Sequence, residues 1–218
     1  MFKITIVLAD DHRVVLEGMR ALLEGEADFA VIGEANDGLE AVRITEKLQP
    51  TVLLVDLAMP NLNGLEVTRQ IKTRFPAVQV IVLSMHANEA YVVEALRSGA
   101  SGYVLKEDSL VEVKKGIREV AAGKHFLSLS LPRQALDVYL AKAKIKDPSD
   151  PYDKLTPRER EILQMTAESK TSTEVGQRLF ISHRTVEIHR QNAMRKLGLR
   201  NHSELIRYAL KKGILPSS

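Results

Sequence analysis

Five short runs of nearly unbroken apolar, largely β-branched residues, each followed by a stretch with helical spacing, narrow the folds open to the first half of this 218-residue chain. The runs are Ile4 to Ala9, Phe29 to Gly33, Thr51 to Val55, Val78 to Ser84 and Gly102 to Leu105. The first, third and fourth are too continuously apolar for a sheet with one wet face, so they predict strands buried on both sides. Val14 to Leu23, Gly38 to Leu48, Gly64 to Arg74, Asn88 to Ser98 and Ser109 to Ala122 repeat apolar residues every three or four positions, as helices with one buried face do. A (βα)5 order with right-handed crossovers predicts an α/β fold, a doubly wound parallel sheet. Its ligand crevice should lie at the carboxyl ends of the strands, where the strand order reverses.

The second half differs in charge and in pattern. Residues 1–127 hold 14 Lys and Arg against 18 Asp and Glu, net −4, whereas residues 153–218 hold 13 against 7, net +6. An acidic domain followed by a basic one predicts two functions, the second meeting a polyanion. Between them, residues 128–152 carry a weak helical stretch, Gln134 to Lys144, and a turn-rich segment in which Pro148 and Pro151 stop any helix, so this stretch reads as a linker. From Leu155 onward four helices are expected. Thr156-Pro-Arg-Glu159 and Thr171-Ser-Thr-Glu174 are capping boxes, Ser182 caps a third helix ending at Gly198, and Asn201 opens a fourth ending at Gly213. Gly176, inside the second of these, costs about 1 kcal/mol relative to Ala, so a soft helix is expected there. The chain therefore divides into an α/β domain (1–127), a linker (128–152) and a small all-α domain (153–218).

No run of apolar residues is long enough to span a bilayer, and Asp10 and Asp11 interrupt the first apolar stretch, so neither a membrane segment nor a secretory signal is expected. The absence of cysteine excludes disulfides and thiolate chemistry and fits a cytoplasmic protein.

Asp10 and Asp11 follow the first strand and Asp56 follows the third, so all three carboxylates should converge at the carboxyl edge of the sheet. Clustered carboxylates repel one another unless a cation neutralises them, and an all-oxygen donor set suits Mg2+. Ser84 and Lys106 end the fourth and fifth strands. A carboxylate nucleophile, Mg2+, a lysine and a hydroxyl together can hold a phosphoryl group.

Leu8-Ala-Asp-Asp-His12, Leu54-Val-Asp-Leu-Ala-Met-Pro60, Asn63-Gly64, Val82-Leu-Ser84 and Ser101-Gly-Tyr-Val-Leu-Lys106 resemble a two-component receiver domain over about the first 122 residues. The resemblance implies that Asp56 takes a phosphoryl group from a phosphohistidine on a sensor histidine kinase. It implies that Asp11, Asp56 and the main-chain carbonyl of Ala58 ligate Mg2+, with Asp10 assisting. Ser84 would move to the phosphoryl group, Lys106 would pair with it, and Tyr103 would swing inward as Ser84 leaves. Glu107 departs from the family, which places proline after this lysine.

In the basic domain only Phe180-Ile-Ser182 separates the second and third helices, the spacing of a helix-turn-helix. Val186, His189, Ala193 and Leu197 should pack inward, leaving Arg184, Glu187, Ile188, Gln191 and Arg195 outward. Such a face can read base edges in a major groove. Phosphate contacts are expected from Arg184, Arg190, Arg195, Lys196 and Lys170, with the hydroxyls of Ser182 and Thr185 near the helix start.

The stretches Leu155 to Ile162, Ile181 to His189 and Arg195 to Gly198 resemble the LuxR-type helix-turn-helix. Together with the first half, the chain resembles a NarL/FixJ-type response regulator. The implied function is a phosphorylation-dependent regulator that binds double-stranded DNA as a homodimer, through Leu205, Ile206, Ala209 and Leu210 on its last helix, and is no enzyme beyond assisting its own phosphorylation and dephosphorylation. Two other readings fit parts of the pattern: a Mg2+-dependent phosphohydrolase with a docking tail, and a DNA-binding regulator whose receiver acts without phosphorylation.

Overall fold

A computed structural model of the chain describes residues 3–131 and 150–215, which form two compact units. In the first, the strands are β1 (Ile4–Ala9), β2 (Phe29–Ala35), β3 (Val52–Asp56), β4 (Gln79–Ser84), β5 (Gly102–Leu105) and β6 (Phe126–Leu127). The helices are α1 (Arg13–Glu24), α2 (Gly38–Leu48), α3 (Gly64–Arg74), α4 (Glu89–Arg97) and α5 (Leu110–Ala121). All pairings are parallel, in the order β2-β1-β3-β4-β5-β6. The order reverses between β1 and β3, so the crevice of a doubly wound sheet falls between their carboxyl ends.

Alternation along the strands explains the two covered faces. Ile6, Leu8, Val52, Leu54, Ile81, Leu83 and Val104 pack with Leu16 and Leu23 of α1 and Val113, Ile117 and Val120 of α5. The intervening Val7, Leu53, Val55, Val80 and Val82 are equally buried. A strand polar on alternate residues could not satisfy both sides.

Five strands were expected, and the described residues form six. β6 is two residues long and pairs only with Gly102 and Tyr103, too short for a periodic signal. Its Phe126 fits because Gly116 on α5 has no side chain; a Cβ there would lie 2.8 Å from the ring. The main chain then continues in contact with the domain, since Ser128 donates from its N–H to the carbonyl of Tyr103 at 3.1 Å. The start of the expected linker is therefore hydrogen-bonded structure, whereas the helical stretch from Gln134 to Lys144 lies outside the described residues.

The second unit begins with a 3-10 turn (Pro151–Lys154) inside the segment read as linker, with Tyr152 packed on the helical core. Four helices follow: α6 (Pro157–Ala167), α7 (Ser172–Leu179), α8 (His183–Leu197) and α9 (His202–Lys211). Both capping boxes form, at Thr156/Glu159 and Thr171/Glu174, and Ser182 and Asn201 cap as their positions predict. The core joins Leu155, Leu163, Ala167, Ala193, Leu205, Ala209 and Ile214. Gly176 has a packing reason: a Cβ there would lie 2.7 Å from the carbonyl oxygen of Ile181, so its absence lets the turn close against α7.

Candidate functional site

Asp10 directly follows β1 and Asp56 is the last residue of β3, so the sheet itself delivers both to the crevice. Asp10 and Asp56 are 2% and 4% exposed, depths at which a carboxylate needs a partner. Lys106, reaching in from the end of β5, supplies it: its Nζ lies 2.6 Å from Asp10 Oδ2 and 2.9 Å from Asp56 Oδ1. Burial pushes the Asp56 carboxyl up to about 6, against the pull of Lys106 and helped by the nearby charges of Asp10 and Asp11. Burial pushes the Lys106 ammonium down, but its hydrogen bond to Asp10 and the charge of Asp56 outweigh that, and its pKa is raised.

Asp11 is more open. Its carboxylate lies 3.0 Å from His12 Nδ1, and Asp10 Oδ1 accepts from the His12 N–H at 2.9 Å. Among the described residues, Asp10, Asp11 and His12 are the only three acidic or histidine side chains whose donor atoms cluster within 4.8 Å. Two of the three offer carboxylate oxygens, with Asp56 beside them, a hard donor set that fits Mg2+. Ala58 lies two residues beyond Asp56 in the bend that leaves β3. Gly64 lets the start of α3 close on this strand end, since a Cβ there would lie 2.2 Å from the Asp56 carbonyl oxygen.

Ser84 and Tyr103 are buried together. The Ser84 hydroxyl accepts from the His86 N–H at 2.9 Å, and the Tyr103 hydroxyl donates to the His86 carbonyl at 2.8 Å. Tyr103 is fully buried, so the ring expected to swing inward already lies inside. Burial raises its pKa, and the hydrogen bond to Ser84 acts the other way. His86 also stacks on Tyr91, with ring centroids 5.1 Å apart.

His86 was missed by sequence reasoning because its main-chain groups, which any residue could supply, make these contacts. Asp108 was missed as well. Its carboxylate accepts from the Leu105 N–H at 3.0 Å and from the Ser130 hydroxyl at 2.6 Å, closing the loop after Lys106 that lacks the family's proline.

In the second unit, α7 and α8 are joined by a three-residue turn, and the outer face of α8 carries Arg184, Glu187, Ile188, Gln191 and Arg195, all exposed. Val186 and Ala193 are buried, while His189 and Leu197 are half-buried. Ser182 accepts from the Thr185 N–H at 3.1 Å and shares a 2.8 Å hydrogen bond with the Thr185 hydroxyl. Arg190 is half-buried on the helix flank. Two basic residues aimed at phosphate already have acidic partners. Lys196 Nζ lies 2.7 Å from Glu159 Oε2, which is buried beneath it, and Lys170 pairs with Glu168. On the last helix Leu205 and Ala209 belong to the core, while Ile206 is half-buried and Leu210 exposed.

These two sites correspond to two family models. Residues 6–118 match the response regulator receiver domain, and residues 153–209 match the bacterial regulatory proteins of the luxR family. The chain is 37% identical over 213 residues to the oxygen regulatory protein NreC of Staphylococcus aureus, covering 96% of this chain and 98% of that protein. Among solved structures it is similar to the RcsB response regulator of Salmonella typhimurium, at a TM-score of 0.55, 31% identity, and coverage of 95% and 98% of the two chains. It is similar also to an RcsB–DNA complex, at a TM-score of 0.57, 30% identity, and coverage of 96% and 98%. Receiver domains bind Mg2+ at an acidic pocket, and proteins of this architecture are DNA-binding transcription regulators rather than classical enzymes. With the acidic pocket at the crevice of its sheet and the helix-turn-helix in its basic half, the chain belongs to the response regulators that join a receiver to a LuxR-type domain, the phosphorylation-dependent transcription regulators of two-component systems.

Proposed function

We propose that Asp56 is the phosphoacceptor and that its modification controls binding of a homodimer to double-stranded DNA through α8, in the cytoplasm. The observation that carries this reading is Asp56 itself, a buried carboxylate at the sheet's crevice with a lysine 2.9 Å away and two more aspartates beside it. A carboxylate oxygen of Asp56 attacks phosphorus. The bond from phosphorus to the imidazole nitrogen of the kinase's phosphohistidine breaks, and its electron pair leaves with the imidazole. Asp10, Asp11, Asp56 and the Ala58 carbonyl would hold Mg2+, whose charge would there offset that of the phosphoryl oxygens. Lys106 pairs with a phosphoryl oxygen and Ser84 donates to another, leaving its present partner, the His86 N–H.

The tail supplies the readout. On α8, Arg184 and Arg195 take phosphate or guanine, Gln191 takes adenine, Glu187 accepts from cytosine, and Ile188 meets a thymine methyl. Arg190 and the hydroxyls of Ser182 and Thr185 contact phosphate, and Lys196 and Lys170 do so only by leaving their acidic partners. Another solved relative, RcsB bound to promoter DNA in the presence of the phosphomimetic BeF3−, supports this direction at 30% identity and a TM-score of 0.56.

The test is DNA binding by the full chain with and without a small phosphodonor and Mg2+, alongside Asp56→Asn. Phosphorylation is expected to add one phosphoryl group to the wild type only and to tighten its binding. Equal affinity of phosphorylated wild type and Asp56→Asn would overturn the coupling.

A further inference from the structure

The turn between α7 and α8 holds its largest side chain in open water. Phe180 is 91% exposed, and its backbone sits in the left-handed region at φ 55°. Its N–H and that of Ile181 both turn back to the end of α7, the latter reaching the Gly176 carbonyl at 2.9 Å. That is a helix C-terminus closed by a left-handed residue, a place glycine fills most readily because it has no Cβ to strain. An aromatic residue there is strained in the backbone, and at this exposure its ring gains almost nothing from folding. The fold thus gives no reason for the ring, whereas a surface that covers it would.

We infer that Phe180 is an affinity-determining contact to double-stranded DNA, its ring packing on deoxyribose and thymine-methyl surface at the edge of the groove that α8 enters. The inference rests on the proposed role of α8 and adds to it a residue outside that helix. Its surroundings favour DNA over a protein partner. Its direct neighbours Leu179 and Ile181 are buried and half-buried, and the exposed residues that flank it are Arg178 on one side and Ser182, His183 and Arg184 on the other, so the exposed chain around the ring is cationic and polar. Protein-docking surfaces have contiguous apolar centres. A single ring framed by cations instead suits a partner whose apolar surface lies between phosphates.

The experiment compares full-length wild type, Phe180→Gly and Phe180→Asn, each treated with a small phosphodonor and Mg2+, on a short duplex selected by the wild type from a random pool. Glycine and asparagine tolerate the left-handed backbone, so both variants are expected to melt no lower than wild type. Both should bind about tenfold more weakly, the effect of leaving one buried aromatic contact unmade. The salt dependence should keep its slope, because no charge is removed. Equal affinity of variants and wild type, a parallel loss of melting temperature, or a shallower salt slope would each overturn the inference while leaving the role of α8 standing. A wild type that selects no duplex would overturn both.

Discussion

The hydroxyl of Tyr103 donates to the main-chain carbonyl of His86 at 2.8 Å, so a fully buried side chain on β5 latches the loop that leaves β4. The same loop residue gives its N–H to Ser84, which makes the loop a shared partner of the two side chains expected to move. Tyr103→Phe keeps the ring's packing and removes the latch. It is expected to cost about 1 kcal/mol of receiver stability, the range for a part-buried hydrogen bond. Denaturant unfolding of the variant and wild type, with unchanged slope, measures it.

Gly64 stands where the first turn of α3 meets the end of β3. With the Asp56 carbonyl oxygen 2.2 Å from the place of a Cβ, and main chain rather than a flexible side chain in the way, Gly64→Ala must displace either the helix or the strand that ends at Asp56. Destabilisation of more than about 2 kcal/mol is expected, in the class of overpacked cores. Thermal melting of the full chain tests this, and a variant as stable as wild type would show that the two elements separate freely.

Much of this geometry was legible because a parallel sheet collects at one edge whatever follows its strands. The positions of Asp10, Asp56, Ser84 and Lys106 are consequences of strand periodicity, which the sequence displays. Pairings between residues far apart were not legible. Lys196 read as a surface cation because nothing in its own helix reveals Glu159, buried 37 residues earlier and 2.7 Å away. Leu205 and Ala209 read as a possible dimer face because helical spacing shows that a face is apolar, not which neighbour covers it. The latch at His86 and the clasp at Asp108 use main-chain groups and loop closure, and neither leaves a periodic trace.

Lys106→Met replaces the cation between Asp10 and Asp56 with an apolar chain. Removing one partner of a buried pair costs about 3–5 kcal/mol when the remaining charges cannot be neutralised. Here protonation of Asp56 can remove one of those charges. The Asp56 pKa in the folded protein is already raised to about 6 from the ordinary 3.8, and losing the lysine raises it further. A carboxyl whose folded pKa is raised favours folding below the unfolded value, and that contribution is lost as pH rises through the folded value. The variant is therefore expected to be markedly less stable than wild type near pH 7.5 and to approach it near pH 5. With Mg2+ held as proposed, the same sign predicts that the ion stabilises wild type more at the higher pH, where Asp56 is ionised. Thermal melts at both pH values, with and without Mg2+, check both statements.

Arg184 and Gln191 lie on one face of α8, both exposed, and differ in what they can report about DNA. A guanidinium that neutralises a phosphate releases a counterion, so Arg184→Ala should weaken binding to every duplex and reduce the salt slope by about 1. If Arg184 instead reads guanine, the loss is confined to sites with guanine at one position. An amide releases no counterion, so Gln191→Ala should leave the slope unchanged, relax the preference for adenine at one position and cost about 1–3 kcal/mol on the preferred site. Salt titrations on a matched and a singly substituted duplex separate these outcomes. The opposite assignment, with the slope following Gln191, would mean that α8 enters the groove rotated about its axis.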